Sequence, residues 1–334
     1  NIMKIGKLPN DVLEKLVFEN IKYKREEVLV RSGIGEDNAI IDFGKDVCIL
    51  STDPITGTTV DIGSLAINIS CNDVAASGAE PIGVLMTIMA PPNTTDEDIE
   101  FIMKEAGIMA EKLRVEIVGG HTEITDAVNR VVISTTVIGK LPKNDILNPN
   151  SVVVGDKILM TKWVGIEGTA IIAGELKDLL IDKIGSKLYE EARSLNQLLS
   201  VVKEGVICGD IGVKYMHDIT EGGLYGAVWE AGQVIDKGIQ MWEEAVPMKE
   251  STKVISEIVG INPYRLISSG SMLIIAGDDS VKTIVEKLNE EEIEVSIIGE
   301  VVDSGINVDR NGVLEEIIPP TSDELYKALS KNSN

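Results

Sequence analysis

Apolar and polar positions change period several times along the chain, and each change marks an element. In residues 10–20, Val12, Leu13, Leu16 and Val17 recur at helical spacing behind Asn10-Asp11, which predicts a short amphipathic helix. The apolar stretches 38–42 and 46–52 flank Gly44-Lys45 and read as paired strands. Residues 63–77 carry Ala and Ile at helical spacing, and 82–90 is an apolar run of strand length. Thr94-Thr95-Asp96-Glu97 opens a long helix that runs to about Arg114, followed by strands at 115–119 and 129–139. Turn formers then cluster at 140–155, including Pro142, Asn144, Asn148 and Pro149, and this is the expected boundary between a domain at 1–150 and one at 151–334. The second part reads as a strand at 156–161, helices near 167–177, 186–203 and 222–235, a strand at 272–276, a helix at 280–289 and a strand at 294–301. Some elements alternate and others run as hairpins, so the pattern predicts two α+β domains over one doubly wound sheet.

Length agrees: 334 residues exceed one ordinary core and fit two domains of about 150 residues. Aromatics are only 4% of the chain, so the cores must rest on Ile, Val, Leu, Met and Ala. No apolar run reaches the roughly 18 residues of a membrane helix, and no signal-peptide pattern is visible, so a cytoplasmic protein without membrane contact is expected. Cys48, Cys71 and Cys208 lie in apolar segments without C-x-x-C spacing, which reads as buried thiols and not as a disulfide or zinc framework. The net charge of −23 argues against nucleic acid as a partner and against any anionic metabolite that arrives without cations.

That charge shapes the reading of the chemistry. The chain has no G-x-x-x-x-G-K-[ST] loop, and Gly33-Ile34-Gly35 does not continue into G-x-G-x-x-G. If an acidic protein of this kind handles phosphates, magnesium bridging carboxylates to phosphate oxygens is the natural alternative. Five segments offer the groups. Gly33-Ile34-Gly35-Glu36-Asp37-Asn38-Ala39 leads into a strand, where it could equally be a simple turn. Ser51-Thr52-Asp53-Pro54 ends another strand, and Asp53 could either bind a ligand or open a turn before Pro54. Within 66–79, Asn68, Asn72 and Asp73 stand in a helix of small apolar residues, where a carboxylate is costly unless a partner or metal satisfies it. Val118-Gly119-Gly120-His121-Thr122-Glu123 runs from a strand into a glycine turn. Met216-His217-Asp218-Ile219-Thr220-Glu221-Gly222-Gly223 sets acids and hydroxyls before a helix start, which favours anions. The two histidines, His121 and His217, both fall in these segments; either could be structural.

In this order, the segments resemble the aminoimidazole ribonucleotide (AIR) synthetase superfamily, which includes thiamine-monophosphate kinase, selenophosphate synthetase and the hydrogenase-maturation protein HypE. The carriers are G-E-D-N-A, S-T-D, N-D-V-A-A-S-G-A-E-P, G-G-H-T-E, G-D-K-I-L-M-T-K and H-D-I-T-E-G-G-L, spread from about residue 30 to 301. The resemblance implies an α+β, two-domain AIR-synthetase-like fold, with an N-terminal ATP-binding domain that dimerises into a β-barrel and a C-terminal α/β domain. It implies ATP and Mg2+ as cofactors, with Asp37, Asp53, Asp73 and Glu123 as metal ligands. Gly35, Ser51, Thr52, Asn72, Gly119, Gly120 and Thr122 would contact the nucleotide, and Asp218, Thr220 and His217 would face the cleft as catalytic candidates. The wording is closest to HypE, so other maturation proteins are implied as possible partners of a homodimer.

Three departures qualify that branch. No cysteine follows Cys208, whereas HypE proteins carry their carboxamide on a terminal cysteine. His121 stands where relatives have an acid after Gly-Gly, and Glu221 where HypE proteins tend to carry Arg. The expected activity is therefore ATP-dependent phosphorylation or activation of an amide-like or carboxyl oxygen on a small molecule or carrier. The alternative is a non-catalytic nucleotide-binding scaffold in hydrogenase maturation.

Overall fold

A computed structural model describes residues 8, 10–31, 38–56, 61–320 and 322–332. Gly35 and Asp37 lie outside the described residues, as do residues 57–60.

After α1 (Asn10–Leu16), the first half builds a six-stranded sheet from β1 (Val28–Val30), β2 (Ala39–Asp42), β3 (Asp46–Ile55), β4 (Glu80–Ala90), β5 (Glu116–Ile124) and β6 (Val132–Pro142). Its order is β1-β2-β3-β6-β4-β5, antiparallel except for β4 and β5. That parallel pair needs a crossover, which α3 (Asp96–Leu113) supplies. Helix α3 starts on a capping box formed by Thr95 and Asp98. One face of the sheet carries α2 (Ile62–Ala76), which is buried almost all round and therefore lacks a polar face. Strand β3 alternates accordingly: Val47, Ile49 and Ser51 are buried beneath α2, while Cys48, Leu50 and Thr52 point to the other face.

The second half builds a seven-stranded sheet from β7 (Lys157–Thr161), β8 (Tyr215–Asp218), β9 (Gly238–Trp242), β10 (Met272–Ala276), β11 (Val295–Val302), β12 (Ile306–Arg310) and β13 (Val313–Glu316). The order is β13-β12-β9-β11-β7-β10-β8, with only β9 and β12 parallel. Strands β7 and β10 read as near-continuous apolar runs because both faces are covered. The helices are α4 (Ile166–Glu175), α5 (Lys177–Ser194), α6 (Val202–Ile211), α7 (Gly223–Ile235), α8 (Glu250–Val259), α9 (Asp278–Glu290) and α10 (Glu324–Asn332). Among the described residues, no helix is long and apolar enough to cross a membrane.

The halves meet where α6 lies on α2. A Cβ on Gly205 would sit 2.2 Å from the Ala75 carbonyl oxygen, and one on Gly209 would sit 2.8 Å from the Gly78 Cα, so only glycines allow this approach. Beside it, Asn72 Nδ2 donates to the Leu199 carbonyl (2.6 Å) and Asn72 Oδ1 accepts from the Val201 amide (2.8 Å). Lys162 closes the same junction: its Nζ lies 2.5 Å from Glu204 and donates to the Ser200 and Gly270 carbonyls.

The structure corrects several expectations. The helix expected at 186–203 is two helices, α5 and α6, separated by a short turn at Leu195–Leu198. Apolar residues on both sides of that turn hid the break. Gly119-Gly120 forms no turn; β5 runs on through Ile124. Asp53 and Pro54 lie inside β3 instead of opening a turn, and His217 and Asp218 belong to strand β8. Strand β9, helix α8, the β12–β13 hairpin and α10 were not anticipated.

Replacing Asn72 by Ala leaves the Leu199 carbonyl and the Val201 amide unpaired at a buried junction. The expected loss is about 2–4 kcal/mol of unfolding free energy, read from urea denaturation; a loss under about 0.5 kcal/mol would show that the amide does not hold the halves together.

Candidate functional site

The C-terminal half of α2 forms one wall of a small cleft at the junction. Asp73 is only 5% exposed, and Ser51 Oγ donates to its Oδ2 at 2.6 Å. Asn38 Nδ2 donates to the Asp73 carbonyl (2.6 Å) and to Ser77 Oγ (2.9 Å), which fixes the start of β2 against α2. A cavity of about 110 Å³ opens beside this group, lined by Asn38, Ser77, Met216, His217 and Asp218 among others. The sequence-predicted Ser51, Asp73, His217 and Asp218 are therefore brought to one junction from three distant segments. Asp53 projects from the same face of β3 as Ser51, about 7 Å further along. Thr52 points the other way, where its Oγ1 donates to the Thr135 carbonyl and accepts from Thr136.

Asn72 faces away from Asp73. Its amide is engaged with Leu199 and Val201, so the side chain that the sequence placed on phosphate holds the helix in register here.

Across the cleft, His217 Nε2 lies 2.8 Å from Glu230 Oε2, and His217 Nδ1 is 3.9 Å from Asp218 Oδ1. The next residues turn sharply into α7, with Gly222 at φ 90° and Gly223 at φ 64°. The Thr220 carbonyl accepts from the Gly223 amide. The Gly222 amide donates to Asp323, which also accepts from the Ile267 and Leu325 amides. One buried carboxylate thus joins three loops. Burial outweighs those three donors and pushes Asp323 up to about 6. Glu167, at the start of α4, is pushed up to about 7, chiefly by burial, with Asp323 and Asp218 adding repulsion and Ser269 opposing.

The remaining candidates lie elsewhere on the chain. Asp53, Thr135, Met86 and Gly120 are neighbours in one row across β3, β6, β4 and β5. Three strand spacings separate Asp53 from Gly120, about 14 Å. Gly119, Gly120, Thr122 and Glu123 therefore sit on an exposed edge strand, and a single copy does not join them to Asp73. His121 Nε2 contacts Glu123 Oε2 at 3.2 Å on that edge. A Cβ on Gly120 would fall 1.8 Å from the Met86 carbonyl oxygen, so this glycine is required by the strand pairing itself. Among the described residues, no three His, Cys, Asp or Glu side chains converge as metal ligands. Cys71 and Cys208 are buried thiols pushed up to about 12, as expected of inert core cysteines.

Glu167, Glu230, Asp323 and the Lys162–Glu204 pair escaped the sequence reading. The reasoning applied to Asp73 could have found Glu167, an acid leading the small-residue helix Gly165-Ile166-Glu167-Gly168-Thr169-Ala170. Nothing local marks Asp323.

Glu167 and Asp323 carry folded-state values above their usual 4.5 and 3.8, so the native state holds their protons longer than the unfolded chain. Their contribution is present at low pH and is lost as pH rises from about 4 to about 7. Glu167→Gln should remove its share of that slope and raise stability near pH 8 by on the order of 2 kcal/mol in urea titrations at several pH values. An unchanged slope would show that Glu167 is not buried as an acid.

Comparison with known proteins places this geometry. Residues 35–141 match the family described as AIR synthase related protein, N-terminal domain, and residues 153–310 match its C-terminal domain. The chain is similar to a putative hydrogenase expression/formation protein of Methanocaldococcus jannaschii, at 26% identity over 88% of each chain. It is also 26% identical to the carbamoyl dehydratase HypE of Escherichia coli, over 75% of this chain and 73% of that one. Among solved structures, a chain in a HypE–HypF complex superposes with a TM-score of 0.74 at 26% identity, covering 92% of this chain and 99% of that one.

Proposed function

The chain belongs to the AIR synthase related protein family, matched through both its N-terminal and C-terminal domains, and from that premise we propose that it is a magnesium-dependent, ATP-using enzyme that activates an amide-like or carboxyl oxygen. The observation that carries the reading is the buried Asp73 carboxylate, which accepts from Ser51 on a helix whose next turn, at Ala76 and Ser77, lines a cavity with His217 and Asp218. A carboxylate in so apolar a helix suits a hard cation, and the surrounding donors are oxygens, as magnesium requires. Asp73 and Asp53, with Asp37 from the segment before β2, hold the metal in this reading, and Glu123 adds a ligand from the edge strand.

Magnesium, when bound, neutralises nucleotide phosphates and spreads the charge that develops on the transferring group. The chain's own residues do the rest. Ser51 orients Asp73, while Thr52, Gly35, Gly119, Gly120 and Thr122 contact the nucleotide. Asn72 positions α2 through Leu199 and Val201 and touches no phosphate. Glu230 holds Nε2 of His217, which leaves Nδ1 turned toward Asp218. Asp218 and Thr220 orient the acceptor, and His217 moves its proton. Residues 1–150 form the nucleotide-binding unit and 151–334 the unit that closes the cleft, in a cytoplasmic protein.

A homodimer belongs to the same proposal. The face of the first sheet opposite α2 is open, and Ile82, Leu85, Val118 and Ile124 are exposed large apolar residues on β4 and β5. A second copy would cover them, which one copy cannot do. The relative found in complex with HypF favours a second reading, a scaffold that binds nucleotide without turnover. Phosphate release stimulated by a small amide or carbamoyl compound would exclude it.

Mg-ATP should raise the melting temperature by several degrees, and Asp53→Asn with Asp73→Asn should abolish the shift. An unchanged shift in that double variant would remove the metal assignment. Leu85→Glu should halve the mass measured by light scattering; a wild-type chain that is already monomeric at micromolar concentration overturns the dimer.

A further inference from the structure

The turn that carries Thr220 has little shape of its own. Gly222 and Gly223 both lie at positive φ, 90° and 64°, and two consecutive glycines lose much conformational freedom when fixed. Neighbouring segments therefore have to impose the geometry. The Gly222 amide donates to Asp323 Oδ2 at 2.7 Å. A Cβ on Gly222 would lie 3.1 Å from Pro320 Cβ, and one on Gly223 would lie 2.6 Å from the Tyr264 carbonyl oxygen. Upstream, the Ile219 amide donates to the Ser271 carbonyl at 2.9 Å. We propose that Asp323 is a positioning residue for the cleft: its carboxylate fixes the Thr220–Gly223 turn and makes the placing of Thr220 depend on the docking of the C-terminal helix α10. In the reading above Thr220 orients the acceptor, and the role of Asp323 rests on that reading.

An acid is required at this position. Oδ2 serves Gly222, while Oδ1 serves the Ile267 amide at 3.2 Å and the Leu325 amide at 2.8 Å. Asp323 is only 3% exposed, so these three donors stand in for water. An Asn side chain offers one acceptor oxygen and turns an N–H toward an amide donor, so it cannot serve both sides. The carboxylate also stands at the amino end of α7, where a helix favours negative charge. The anion suited to that helix end is thus supplied by the chain itself.

The same carboxylate reaches α10 through Leu325. Leu325 and Ala328 are buried in one cluster with Ile172, Val259 and Leu266, which seats α10 on the second half. Glu324 Oε2 accepts from the Asn262 amide at 3.1 Å, and Arg265 Nη2 donates to the Ile318 carbonyl at 3.3 Å. The C-terminal segment is therefore tied to the 262–267 loop, which presses on Gly223, as well as to Gly222 directly. Loosening α10 loosens both supports of the turn.

The test is hydrogen exchange read by mass spectrometry on the full chain at about pH 7.5, where Asp323, pushed up to about 6, is ionised. Asp323→Asn should speed exchange at 219–224 at least tenfold beyond any change in β7. Ala328→Gly keeps the carboxylate and weakens only α10, and should speed the same amides at least threefold. ADP release from Mg-ATP, with acetamide as the acceptor probe, should lose at least tenfold in kcat in Asp323→Asn, with the KM for ATP within twofold of wild type. If Asp323→Asn does not fold, Ala328→Gly carries both readouts. Equal acceleration in β7 and in the turn marks a general loss of stability and overturns the proposal. So does unchanged exchange at 219–224 in the folded variants, or a kcat that is unchanged where wild type is active. A wild-type chain that releases no ADP counts against the activity proposed above, and the exchange result then decides by itself whether Asp323 holds the turn.

Discussion

The amide of Asn72 ties the two halves of the molecule together, and the cleft exists because it does. It sits on α2 next to Asp73, so the contacts that fix Leu199 and Val201 also fix the direction of the neighbouring carboxylate. The glycines at 205 and 209 let α6 approach α2 at backbone distance, which keeps those hydrogen bonds short. Lys162 then pairs with Glu204 behind the same loop. Because this junction is buried, each of its polar groups must be matched, and a mismatch costs more than any one bond contributes.

From that junction the acidic character of the interior follows. Asp73 on one side, and Asp218, Glu167 and Asp323 on the other, are all nearly excluded from solvent. Ser51 and three backbone amides satisfy part of this charge, and part is stored as raised carboxyl values at Glu167 and Asp323. A protein that keeps several acids in low dielectric favours cations over anions at its interior.

The candidate groups do not all meet in one copy. Two intervening strands hold Gly120 about 14 Å from Asp53, a distance set by the spacing of the sheet. Side chains cannot cross it. The open apolar face of the same sheet supplies a physical reason for a second copy, since exposed Leu85 and Val118 gain from being covered.

Much of the first sheet was legible from local pattern, because alternation in β3 and helical spacing in α2 each record one buried face. Asp73 was legible for a related reason: a carboxylate among small apolar residues contradicts its surroundings. The turn after α5 was not legible, since apolar residues continue through it and periodicity alone cannot end a helix there. Nor was the strand character of Gly119-Gly120, because glycine signals a turn and a close strand pairing alike. Sequence by itself determined the two-domain class and the family, both of which depend on residue type and order. Only tertiary structure decided that Asn72 joins the domains, that Asp323 gathers three loops and that Glu167 is buried near Asp323 and Asp218. Those roles depend on partners distant in the chain, such as Val201 for Asn72 and Gly222 and Ile267 for Asp323, and local pattern carries no record of them.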